Sequence, residues 1–221
     1  MMSPAKRHRL KVLAEQQATA MTDDFGGYNK DASAYQLQLK ELTNDKIRLK
    51  GIESIQTKIE EKRKLVPKYM PYVKGVIKAD KPVDDLIVTT MMVWCIDTGF
   101  YHLALMIGNF VLKHNLKMSD NFSRSTASIL VEELANAALE TLKNDGDFDV
   151  GILNSVYDMT DALDMHDQIR AKLYHAIGKL YLKMEKGQYA VEFLKMALAK
   201  NPKIAAKQEL KSAEKLAAEQ T

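Results

Sequence analysis

The sequence predicts an all-α protein, in which a long N-terminal amphipathic helix precedes a body of helical hairpins, partly tetratricopeptide-like. Three observations carry this. Gly and Pro are sparse, 10 and 5 in 221 residues, and residues that favour helices dominate. The most apolar stretch, Asp84 to Met118, reads as two helices around a turn at Asp97-Thr98-Gly99. Elsewhere apolar residues recur at three-, four- and seven-residue steps, the helical period. The length allows one or two domains.

From the N-terminus, residues 1–31 read as a mobile basic arm and linker. Ser3-Pro4 suits a helix start, Lys6 to Met21 can be helical, and Asp23, Asp24, Gly26 and Gly27 suit a linker. The cluster Lys6, Arg7, His8, Arg9 and Lys11 has no acid among it. It reads as a phosphate-binding patch, and the alternative is a solvated basic tail.

Residues 32–82 read as a long helix and a Pro-rich elbow. Leu39, Leu42, Leu49, Ile52, Ile55 and Ile59 form a narrow apolar stripe from Ser33 to Val66. Such a stripe suits a helical hairpin or an intermolecular coil. Gly51 weakens this helix without having to break it. Lys62, Arg63 and Lys64 are its densest cations and its best candidate for contacting DNA, and the alternative is a solvated charged face. Pro67 and Pro71 are expected to end the helix, with Tyr69 and Tyr72 packing the elbow onto the body or stacking on bases.

Residues 83–203 read as the helical body. Asp84 and Asp85 open its first helix, where carboxylates suit the positive end of the dipole. Trp94, the single tryptophan, lies on that helix, and the next runs from about Tyr101 to His114. After a polar loop at 119–126, helices are expected over Ile129–Lys143 and Ile152–Leu163. Gln168 to Ala199 reads as a hairpin, with Tyr174, Gly178, Tyr181, Ala190, Leu194, Ala197 and Pro202 spaced as in a tetratricopeptide unit. Residues 204–221 read as a C-terminal helix or tail.

Charge is segregated. Residues 1–11 carry +4, 12–39 carry −3, 40–81 carry +6, 82–170 carry −9 and 171–221 carry +5. This suggests a basic portion facing a polyanion and an acidic body. The one cysteine, Cys95, excludes an intrachain disulfide and fits a reducing compartment. No apolar run reaches the ~20 residues of a membrane span, and no secretory leader is apparent.

Searches for chemistry return no catalytic residues, no metal site and no cofactor motif. Walker A, G-x-G-x-x-G and G-x-S-x-G patterns are absent, and so are Cys or His pairs at zinc spacing. Asp145, Asp147 and Asp149 fail the EF-hand pattern, because its Gly and terminal acid fall on Val150 and Val156. Asp158, Asp161, Asp164 and Asp167 recur every three residues, but across an expected helix end. Capping of the next helix explains them better than Mg²⁺ binding.

The order of motifs resembles the small terminase subunits of temperate tailed phages of the Peduovirus type. The start Ser3-Pro4-Ala5-x-Arg7-His8 matches, as does Tyr35 to Lys50 with its Y-x-x-x-L…L-K pattern. So does the elbow, Lys64-Leu65-x-Pro67-x-Tyr69-x-Pro71-Tyr72-Val73-x-Gly75-Val76. Asp84-Asp85 through Trp94-x-x-Asp97-Thr98-Gly99 resembles the family's D-D…W-x-x-D-T-G, and Leu112-Lys113-x-x-Leu116-x-Met118 its L-K-x-x-L-x-M. Asp164-Met165-x-Asp167-x-x-Arg170-Ala171-Lys172-Leu173 resembles its D-M-P-D-x-x-R-A-K-L. Ser119 stands where the family often has Pro, and Tyr72 where it often has Trp.

The resemblance implies double-stranded viral DNA as a partner, with assembly of the body into a homo-oligomeric ring. It implies loading of DNA onto the large terminase subunit, which carries the ATPase and usually the nuclease, in the host cell cytoplasm. Members are often labelled terminase endonuclease subunit. The rival readings are an endonuclease using the aspartates at 158–167, and a helical adaptor without a DNA role.

Overall fold

A computed structural model describes residues 2–20, 32–118 and 124–220 of the chain. Among these residues it contains ten α-helices and no strand. The linker expected at Asp23–Gly27 and most of the polar loop at 119–126 lie outside the described residues. No described helix is long and apolar enough to cross a membrane. The chain forms two compact units, residues 1–126 and 127–221.

The first unit is built around one helix. Its elements are α1 (Pro4–Ala20), α2 (Ala32–Lys50), α3 (Ile55–Ala79), α4 (Leu86–Asp97) and α5 (Tyr101–Lys113). The other four all pack against α3, and α3 buries Leu65, Val66, Tyr69, Met70, Tyr72, Val73 and Val76. The apolar α4–α5 hairpin is present with its turn where the sequence puts it. Gly99 takes a left-handed φ of 80° there, a conformation open to glycine at little cost.

The long helix expected over 33–66 is instead two helices. Lys50 ends α2, Gly51 follows it, and Ser54 caps α3 by accepting from the Thr57 N–H at 3.3 Å. Gly after a helix end and Ser before a helix start are both strong local signals. α2 folds back on α3, so the apolar stripe pairs within the chain: Leu42 and Leu49 are buried. Asp45, also buried, accepts from the Tyr69 hydroxyl at 2.6 Å and from Lys68 at 3.2 Å.

The elbow is a second correction. α3 runs unbroken through Pro67 and Pro71. Each proline removes a backbone donor, at a cost of about 3 kcal/mol in an isolated helix. Burying the apolar face of α3 opposes this at about 1.5–3 kcal/mol per large side chain. Tyr69 and Tyr72 are buried, so neither is open to stacking on bases. Tyr69 meets Trp94 edge to face at 6.3 Å. Tyr72 donates to Asp85 at 2.6 Å, while Asp85 caps α4 by accepting from the Ile87 and Val88 N–H groups. Burial and the facing carboxylates push both tyrosine hydroxyls far above their ordinary range. Burial raises the Asp85 carboxyl, and its three donors pull the other way. Cys95 is buried in α4 and its thiol is pushed up to about 12, an inert structural thiol.

The second unit holds α6 (Thr126–Lys143, whose first residue closes the first unit), α7 (Val150–Thr160), α8 (Asp167–Lys183), α9 (Gly187–Lys200) and α10 (Lys207–Glu219). The α8–α9 hairpin is the one expected, and its likeness to a tetratricopeptide unit remains an expectation from spacing. The helices approach closely through small residues. A Cβ on Gly178 would lie 2.7 Å from Leu194 Cγ, and one on Gly187 would lie 2.6 Å from the Ala217 nitrogen. Ala190, Leu194, Ala206 and Ala213 form the buried cluster beneath α10. Arg170 is buried and donates to the Thr160 and Leu163 carbonyls, satisfying the C-terminal end of α7. The 204–221 segment is helical over most of its length.

Candidate nucleic-acid interface

α1 begins where the sequence signals it. Ser3 Oγ accepts from the Lys6 N–H at 3.3 Å, and Pro4 opens the helix. The helix is anchored on α3 rather than free. A Cβ on Gly75 would fall 2.2 Å from the Lys11 carbonyl oxygen, so the two backbones touch at a point that only glycine permits. Ala14 is buried beside it, and Lys78 bonds Glu15 at 2.8 Å. The stretch expected as a mobile arm therefore contains a docked helix.

Docking leaves the cations outward. Lys6, Arg7, His8 and Arg9 are exposed, and Lys11 is half-buried. Among the described residues, none of these five side chains has a hydrogen-bond or ion-pair partner. The helical turn of 3.6 residues divides them between two faces. Arg7, His8 and Lys11 stand over a groove, and Lys6 and Arg9 lie round the helix from it.

The groove holds about 520 Å³. Arg7, His8 and Lys11 on α1 and Lys74 on α3 form its rim. Val66, Pro67, Met70 and Pro71 on α3, with Phe100 and Leu103 at the start of α5, supply apolar walls. Among the described residues, no acidic one lines it. Lys74, Phe100 and Leu103 escaped the sequence reading. Phe100 and Leu103 follow Lys74 by 26 and 29 residues, and only the packing of α5 on α3 brings them together.

The other cationic group is engaged internally. Lys62 bonds Asp97 and sits 6.0 Å from the centre of the Trp94 ring, and Arg63 donates to the Thr98 carbonyl at 3.2 Å. These two residues tie α3 to the Asp-Thr-Gly turn. Lys64 is exposed and pairs with Glu61 at 2.6 Å. None of Lys62, Arg63 and Lys64 lines the groove beneath α1.

Asp158, Asp161, Asp164 and Asp167 are all exposed and straddle the end of α7 and the start of α8. Asp167 stands in the first turn of α8 and pairs with Lys200 at 2.9 Å. Among the described residues, no three His, Cys, Asp or Glu side chains gather as a metal cluster.

Comparison with known proteins agrees with the order of motifs. Residues 39–168 match the family described as phage small terminase subunit. The chain is also 34% identical, over 183 residues, to the protein named "Terminase, endonuclease subunit" of Escherichia phage P2. That similarity covers 83% of this chain and 72% of the relative. With the Pro-aromatic segment on the central helix and the Asp-Thr-Gly turn closing the first hairpin, the chain belongs to the phage small terminase subunit family.

Proposed function

We propose that this chain is the DNA-recognition subunit of a phage packaging terminase. It binds the packaging site on viral DNA in the host cytoplasm, assembles as a ring and loads DNA onto the large subunit. The observation that carries this reading is the anchored α1 helix, which presents Lys6, Arg7, His8, Arg9 and Lys11 outward without internal partners among the described residues. Lys64 is the one cation of the 62–64 group that can turn to DNA without breaking a bond to the Asp-Thr-Gly turn. Four full cations on one chain bind DNA weakly, but several copies in a ring act through effective concentration. Sequence recognition needs base-edge or shape contacts in addition.

The test is a salt titration of DNA binding by the wild type and by a Lys6/Arg7/Arg9/Lys11→Ala variant, with and without the packaging sequence. Each phosphate that the variant no longer neutralises lowers the log–log salt slope by about 0.9. A weaker and shallower response in the variant places DNA on α1, and an unchanged response rejects that placement. The name of the phage P2 relative raises the alternative that cutting resides in this chain. Mg²⁺-dependent nicking by the purified protein, abolished in Asp161→Ala, would establish that alternative.

A further inference from the structure

We infer that the groove between α1, α3 and the start of α5 seats an acidic segment of the large terminase subunit, anchored by apolar side chains. The inference rests on the packaging reading for the identity of the partner, and on the groove's chemistry for the rest. Phosphates of a DNA duplex satisfy the rim alone. The walls are Met70, Phe100, Leu103 and two prolines, and Phe100 and Leu103 are only half-buried. A duplex whose phosphates meet the rim leaves these apolar walls uncovered.

A peptide bearing carboxylates and apolar anchors satisfies both parts. Its anchors cover Phe100 and Leu103 while its carboxylates meet Arg7, Lys11 and Lys74. This is the arrangement by which grooves take amphipathic segments. The groove, about 520 Å³, has room for apolar side chains of such a segment. A lining of basic and apolar residues without an acid gives the charge preference its sign. The α1 cations then divide their work: Lys6 and Arg9 serve DNA alone, and Arg7 and Lys11 stand where both ligands reach.

The experiment measures binding of the full-length protein to the purified large subunit and, separately, to packaging-site DNA. Two variants are compared with the wild type: Phe100→Ser/Leu103→Ser in the walls and Lys74→Glu on the exposed rim. Melting curves check that each is folded, and the Lys74 variant keeps the test valid if the wall variant is not. The expected result is at least a tenfold loss of large-subunit affinity in both variants, with DNA affinity of the wall variant within twofold of the wild type. Undiminished large-subunit binding by the variants overturns the inference. So does a wild type that does not bind the large subunit. Loss of DNA binding by the wall variant with large-subunit binding intact assigns the groove to DNA and overturns it as well. Failure of the packaging reading shows differently, as a wild-type protein that ignores the packaging DNA.

Discussion

The α2–α5 region of the first unit and the α8–α10 packing of the second hold their helices together by different means. The first joins them through polar groups buried between helices: Tyr69 with Asp45, and Tyr72 with the capping Asp85. Asp80, in a left-handed conformation at the end of α3, also pairs with Lys113 at the end of α5 and His114 just after it, which hold its carboxyl below the usual range. The second relies on small residues that let helices meet closely, Gly178 against Leu194 and Gly187 against Ala217. Its rings also cluster, with Tyr157, Tyr174 and Phe193 within 6.2 Å of one another. Buried hydrogen bonds are directional and fix which turn of one helix meets which turn of another. Close packing fixes the same thing by shape. The first region is therefore expected to be sensitive to loss of a single polar atom, and the second to gain of a single carbon, as is the approach of α1 to α3 at Gly75.

The largest effect is expected from Asp85→Ala. It removes the α4 cap, at about 0.5–2 kcal/mol, and strands the buried Tyr72 hydroxyl, at about 1–3 kcal/mol. A loss of about 3 kcal/mol should appear in denaturant unfolding, with amide exchange accelerated in α3 and α4. Next comes Gly178→Val. Overpacking a filled interface costs about 1–3 kcal/mol, and faster exchange confined to α8–α10 is the expected readout. If Asp85→Ala proves milder than Gly178→Val, the contrast between the regions fails.

A smaller effect is expected from pH. His175 is buried on α8, near Glu209 of α10 at 3.6 Å and with Lys179 nearby, and burial lowers its basicity from the ordinary 6.5. The folded state then binds fewer protons than the unfolded one. Its stability contribution is present above 6.5 and is lost as pH falls below that value through the folded pKa. Protection of the α10 amides, taken relative to their intrinsic exchange rates, should fall as pH drops below 6.5 in the wild type and lose that dependence in His175→Gln. The smallest change is expected from Lys62→Met, which breaks the half-exposed pair with Asp97. Thermal melting should register about 0.5–1 kcal/mol, and a DNA affinity equal to that of the wild type would confirm that Lys62 serves the fold.

Much of the fold was legible because its signals are local. The turn at Asp97-Thr98-Gly99 announces itself by composition, and the α8–α9 hairpin by its period. The α2–α3 boundary was legible as well, in Gly51 and in Ser54 ahead of Ile55, but the apolar stripe running across it masked the break. The candidate site was legible only in part. The α1 cations stand together in the sequence, but their division between two faces depends on which side of α1 meets Gly75. Lys62 and Arg63 look like the densest free charge in the chain, and nothing local reveals that Asp97 and the Thr98 carbonyl, 35 residues away, engage them.

By itself, then, the sequence determined the helical class, the family, the position of most turns and the sign of charge along the chain. These follow from propensity, period and composition, which act over a few residues. The tertiary structure decided that α3 passes through two prolines, that α1 lies docked, and which cations stay outward above an apolar groove. Those outcomes depend on burial and pairing between distant residues. Where burial of a helix face outweighs a local penalty of a few kcal/mol, only the folded chain shows which term wins.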